Sequence, residues 1–210
     1  MLVTVTTTVA FAQGTVALQN QTGLVRYSGG GGGLVPVGGG YVQLFAAPTG
    51  TVLPHPLFTI GAGGPVLNYS SVAGFLASNP GWAGAWQGSS GPVPTPINFG
   101  PGLFNGGTFT INNISEAANA DYFLLGWTGA YTDADAAIAA WSAGLNEFGE
   151  SSITTTATGT PLGLPSLPVS LRKSFEGMTL YPAPEPTIWT LLVVGGMTVG
   201  WLERRNRRAH

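Results

Sequence analysis

The chain has no cysteine, which excludes disulfides and thiolate metal centres together. Charge is also scarce, with acidic and basic residues filling only 8% of 210 positions. Histidine occurs twice, as His55 between Pro54 and Pro56 and as His210. A Ser-His-Asp triad would have to be built on His55, and no G-x-S-x-G elbow presents a serine to it. The five glycines at 29–33 are followed by neither GK[ST] nor a helical pattern, so they form no phosphate cradle. Carboxylates are few. Asp133 and Asp135 make a D-x-D, too few oxygens for a calcium loop and better explained as helix caps. Glu147 and Glu150 follow the helix, and a glycosidase would have to draw its pair of carboxylates from this small set. The inventory points to a non-catalytic chain with no cofactor and no metal.

What is present is apolar surface, glycine and proline. Apolar residues reach 44%, with 33 glycines and 16 prolines. That composition does not describe a solvated disordered tail, which needs charge and few aromatics. The length allows one domain of ordinary size plus its signals. Charge is split along the chain. From Gln13 to Pro186, three basic residues (Arg26, Arg172, Lys173) stand against eight acidic ones, a net of −5, and the tail beyond is +3. An acidic body of this kind carries no footprint for nucleic acid.

Residues 1–12 form an apolar, Thr-rich run ending Ala10-Phe11-Ala12, the A-x-A pattern of a signal-peptidase site. No lysine or arginine precedes it, as expected if the start is placed too late and a basic n-region is missing. The competing reading is a first β-strand, since Thr and Val favour strands.

From 13 to 181 the pattern is short strands and turns, predicting a β-sandwich of antiparallel strands with one short helix. Residues 15–20 alternate, with Val16 and Leu18 on one face and 23–28 as a hairpin partner. Residues 41–46 alternate again, and 57–60 and 65–70 flank a glycine turn. Residues 78–107 are dense in turn signals. Phe109 and Ile111 share a face, whereas 121–128 (DYFLLGWT) is apolar on both, as a doubly covered central strand should be. Residues 133–145 are the one helix-like stretch, capped by Thr132 or Asp133, with Ile138 and Trp141 facing the core. A Thr-rich strand over 151–158 and a last strand over 174–181, with a bulge at Gly177, close the domain. Trp82, Trp86 and Trp127 are either core residues or platforms on which sugar rings could stack.

The tail is the most specific feature. Pro182-Ala183-Pro184-Glu185-Pro186 leads into sixteen mostly apolar residues, 187–202, and four arginines follow within 204–208. Such a helix is about 24 Å long against a hydrocarbon layer of about 30 Å, a gap that snorkelling arginines can close. Trp189 and Trp201 sit near its two ends, where indoles favour the headgroup level, and the arginines favour the cytoplasmic side. Gly196 and Gly200 have small-xxx-small spacing, which a Gly-rich chain also produces by chance.

Pro184-Glu185-Pro186, the Thr187-x-Trp189 that follows, the Gly- and Val/Leu-rich apolar stretch and the cluster Arg204, Arg205, Arg207, Arg208 resemble the PEP-CTERM sorting signal of Gram-negative bacteria. Two positions depart from it mildly: Thr187 where serine is commoner, and Thr190 after Trp189. The resemblance implies recognition by an exosortase in the inner membrane and cleavage near Pro184-Glu185-Pro186. Release to the cell surface or into an extracellular, exopolysaccharide-containing matrix would follow. The body also resembles small Gly-rich exported proteins of Verrucomicrobia-like bacteria. The shared features are Gln13-Gly14-Thr15-Val16, Val42-Gln43-Leu44-Phe45, Gly149-Glu150-Ser151 and Ser174-Phe175, and no activity comes with that likeness. The expected division is therefore a signal peptide at 1–12, an ectodomain at 13–181 and a sorting signal at 182–208. A carbohydrate-binding module is the alternative for the ectodomain.

Overall fold

A computed structural model describes residues 13–29, 31–159 and 167–184. These residues are mostly β with two short helices. In order, the elements are β1 (Gln13–Gln19), β2 (Val25–Tyr27), β3 (Gly40–Pro48), β4 (Phe58–Gly61), β5 (Gly64–Leu67), α1 (Val72–Ser78), β6 (Ala83–Gly84) and β7 (Thr95–Pro96). Then follow β8 (Asn105–Ser115), β9 (Asn119–Thr128), α2 (Ala134–Ser142), β10 (Glu147–Glu150), β11 (Thr154–Ala157), β12 (Val169–Ser170) and β13 (Met178–Pro182). Among these, no helix is long and apolar enough to cross a membrane; the candidate span at 187–202 lies outside the described residues, as does the candidate signal peptide.

The antiparallel pair β3–β9 is the spine, and its sequence shows why. Successive side chains on a strand point to opposite faces. On one face, Val42, Leu44 and Ala46 of β3 and Tyr122 and Leu124 of β9 enter a core shared with Val16 and Leu18 of β1 and Phe109 and Ile111 of β8. On the other, Phe45 and Ala47 with Phe123, Leu125 and Trp127 meet Phe58, α1 and α2. Both faces of β9 are covered, as its uninterrupted apolar run requires. Phe45 and Phe123, paired across the ladder, stack at 5.1 Å and 9°, the kind of cross-strand contact that pins register.

The larger sheet runs β2-β13-β10-β9-β3-β6, with β11 also on β9 and β7 on β3; the smaller is β12-β1-β8, and β4-β5 form a separate hairpin. Between β1 and β8 the register shifts after Gln13↔Ser115 to Gly14↔Ile111. That irregularity lets Ile114 turn inward three residues after Ile111. Gly126 and Gly149 face each other between β9 and β10. A side chain on Gly126 would strike Met178, and one on Gly149 would strike the Thr179 carbonyl, so this glycine pair is what lets β13 pack so closely.

Three expectations need correction. Residues 23–28 do not return as a hairpin on β1. Instead β2 leaves for the other sheet and pairs in parallel with β13, Val25 against Met178. Buried Asn20 redirects the chain, its amide nitrogen donating to the Gly23 and Gly102 carbonyls. Second, the described residues contain two helices rather than one. Ser71 caps α1 by accepting from Gly74 N at 3.1 Å, and Asn79 closes it by donating to Phe75 O at 2.9 Å. The strong breaker Gly74 hides this seven-residue helix from a propensity reading. Third, the last strand begins at Met178. Gly177, at φ +117, turns the chain before the strand instead of bulging within it. Phe175, ahead of the strand, is buried in the same core as Met178 and Leu180.

Helix α2 keeps its expected form. Asp133 is its N-cap, accepting from Ala136 N at 2.7 Å, and Ile138 and Trp141 are buried. Asp135 accepts from Val72 N at 2.7 Å and so ties α2 to the start of α1. Both D-x-D carboxylates therefore hold backbone N–H groups. Replacing Asp133 by Asn is expected to change stability by only a few tenths of a kcal/mol, and by Ala to cost about 1 kcal/mol. Urea denaturation of the two variants checks this; a calcium-dependent rise in wild-type midpoint that Asp133→Asn abolishes would make the pair a ligand set instead.

Candidate functional site

The three tryptophans weighed as sugar platforms part company. Trp127 is fully buried, stacked on Phe148 at 6.1 Å and 9°, with its indole N–H donating to Tyr131 O at 2.8 Å. Trp82 is buried edge-on against Phe123 at 5.0 Å. Neither has a face left to offer a ligand, because the covered side of β3–β9 needs large rings to fill it. Trp86 alone is exposed, at 38%. Its backbone exchanges hydrogen bonds with Thr110 of β8, 2.9 Å one way and 2.7 Å the other. The three do not form a common stacking surface.

The site that the fold does build lies at the end of β13, just before the candidate sorting element in sequence. Strand β13 lies between β2 and β10, and its end is gripped by side chains from three other elements. Trp141 of α2 donates its indole N–H to Tyr181 O at 2.8 Å. The Tyr181 ring stacks on Phe58 of β4 at 6.0 Å and 29°, and Phe58 also meets Trp141 edge-on at 5.9 Å and Phe148 of β10 at 6.0 Å. Ala183 still packs against this cluster, whereas Pro184 is exposed. Contact with the domain therefore continues to Ala183, and Pro184, the first residue of Pro184-Glu185-Pro186, is exposed. Glu185, Pro186 and the arginines 204, 205, 207 and 208 lie outside the described residues. Sequence reasoning missed the clamp, because Phe58, Trp141 and Tyr181 come from separate elements. Only the position of Tyr181, immediately before the prolines, hinted at it.

Glu150 supports the clamp from below. Its carboxylate accepts the Phe58 backbone N–H at 3.0 Å. Burial pushes its pKa up to about 7, and the Phe58 and Leu57 backbone N–H groups pull back only part of that rise. Glu147 is also shifted upward by burial, and one of its oxygens is buried without a partner. Three residues apart on a strand, the two carboxylates point to opposite faces. Glu150 meets Phe58, while the Glu147 charge acts on Tyr27 across the sheet. They do not flank a common bond, so these two residues are not a glycosidase pair. His55 is placed through its backbone, which both donates to and accepts from the Asn79 amide. Among the described residues no group of three potential metal ligands converges.

The raised Glu150 pKa has a pH consequence. Between about 4.5 and about 7 the folded state holds a proton that the unfolded chain releases, so stability must fall as pH rises through that window. The full swing is up to about 3 kcal/mol. Glu150→Gln, which keeps an acceptor and removes the charge, is expected to flatten the curve. Urea midpoints at pH 5 and pH 8 measure it, and an equal slope in wild type and variant would contradict the assignment.

The geometry thus defines a mostly β domain in which the last strand among the described residues is clamped at its end. No protein-family model, no characterised protein and no solved structure matches this chain.

Proposed function

We propose that the chain is a non-catalytic exported surface or extracellular-matrix protein, delivered and released through a PEP-CTERM-type sorting signal. In this reading residues 13–181 are a β-sandwich ectodomain and 187–202 a single transmembrane helix, held at the cytoplasmic face by Arg204, Arg205, Arg207 and Arg208. Its partners are the inner membrane and an exosortase, both transient. The observation that carries the proposal is one of order. A strand locked into the folded body is followed at once by an exposed proline, then Glu-Pro, a charge-free apolar stretch and a basic cluster. A membrane-embedded processing enzyme needs an extended segment that joins neither sheet nor helix, and proline supplies one by fixing φ and removing backbone donors. The contacts that end at Ala183 set a short reach: three residues from 184 to 186 span about 9 Å if extended.

The basic cluster gives a direct test. Converting Arg204, Arg205, Arg207 and Arg208 to serine should abolish the stop, so that full-length chain passes through the inner membrane unprocessed. Fractionation of an exosortase-bearing host reads this. A quadruple variant that is still retained and trimmed like wild type would remove the tail's assigned role.

A further inference from the structure

A second surface lies far from the tail in sequence and is built from three separated segments. The turn at 19–21, the loop 99–105 and Arg172 surround a cleft of about 340 Å³, within the size range of small-ligand sites. Its floor is rigid. The buried Asn20 side chain donates to the Gly23 and Gly102 carbonyls and accepts from Phe104 N at 2.8 Å, while Gln21 N donates to Arg172 O at 3.2 Å. One buried amide therefore ties the 19–23 turn to the 99–105 loop, and a backbone bond adds the third segment.

The rim has a distinct chemistry. Phe99 stands 70% exposed at the edge, presented by a tight turn in which its own N–H donates to Leu103 O at 3.2 Å. Gln19, Gln21 and Asn105 supply amides, and Arg172 a guanidinium. Charge singles the place out. Residues 13–184 contain seven acidic side chains and three basic ones, and two of those three are Arg172 and its neighbour Lys173. Two other clefts among the described residues differ. One combines Arg26 with Glu176, and another is lined by Asp133 and Asp135, whose carboxylates already hold helix N-termini.

We propose that this cleft binds an acidic glycan, with a hexuronate unit of a polysaccharide chain as the recognised element. Arg172 pairs with the sugar carboxylate, a charge-assisted and geometrically directed contact. The amides of Gln21 and Asn105 meet ring hydroxyls, each offering a donor and an acceptor. Phe99 covers the apolar face of the sugar ring. A neutral glycan would use the aromatic and the amides and forgo the guanidinium.

The test uses the full-length chain in a zwitterionic detergent without a sugar headgroup, titrated by calorimetry with tetragalacturonate and with its methyl ester. Saturable binding of the acid below about 1 mM, weakened by salt and at least tenfold tighter than the ester, is expected. Arg172→Gln should erase the difference between acid and ester. Phe99→Ala should weaken both at least tenfold, and Trp86→Ala neither. Phe99 and Arg172 are exposed, so unchanged melting temperatures verify that the variants are folded. No saturable binding of the acid, equal affinity for the ester, or indifference to Arg172→Gln would overturn the proposal. Binding is read on unprocessed chain, so its failure leaves the sorting assignment standing, and failure of sorting leaves the cleft standing.

Discussion

Glu185→Ala is expected to leave the protein inserted in the inner membrane at full length and to stop its release. Glu185 is the one ionisable residue between the clamped strand and the arginine-flanked apolar segment. A carboxylate between two prolines gives a processing enzyme a directional contact in a stretch whose backbone donors proline has removed. Alanine keeps the length, the prolines and the apolar anchor, so insertion should be unaffected. The effect is close to all-or-none because recognition precedes any cleavage. Membrane fractionation followed by intact mass measurement reports both halves of the expectation. A Glu185→Ala chain trimmed and released at the normal rate would show that the motif is read in some other way.

The second large effect is on stability. Trp127→Ala should remove most of it. The ring is fully buried, stacked between Phe148 and Tyr41 at centroid distances of 6.1 and 6.4 Å, and its N–H serves Tyr131 O. Truncating a buried tryptophan costs about 3–5 kcal/mol, and the stranded carbonyl adds about 1–3 kcal/mol. Domains have about 5–15 kcal/mol in total, and each kcal/mol moves the melting temperature by about 2–4 °C at this size. A drop of about 10 °C or more is the expected result by thermal circular dichroism. Trp86→Ala, removing a partly exposed ring, should shift it by a few degrees. Equal losses for the two would mean that the core is not centred on the β3–β9 spine.

How far these features could be read from the sequence depends on how local their causes are. Strands β3 and β9 were legible because alternation and an unbroken apolar run are properties of a single segment. The β4-β5 hairpin and the Asp133 cap were legible for the same reason. Helix α1 was not, since Ser71 and Asn79 fix its ends while Gly74 in the middle argues against any helix. The partner of β2 was not either. Asn20 sends the chain to the opposite sheet by bonding to Gly102, 82 residues away, and nothing near 20–28 announces that bond. The tryptophans show the same division: aromatic identity is visible in sequence, but only packing decides that Trp82 and Trp127 fill the core. The Tyr181 clamp and the Phe99–Arg172 cleft each need three or four segments brought together, so neither has a local signature. The tail is the converse case, since its order of prolines, apolar residues and arginines is wholly local.

The central claim is that this chain is released by cleavage at its C-terminal motif, and the intact mass of the released protein tests it most directly. Expressed in a Gram-negative host with an exosortase, the extracellular form should have lost the apolar segment 187–202 and the arginines beyond it, with its new C-terminus near Pro184-Glu185-Pro186. In the same host without the exosortase, full-length chain should stay in the inner membrane. Released protein that still carries Arg204 to Arg208, or release that is unchanged when the exosortase is absent, would contradict the account.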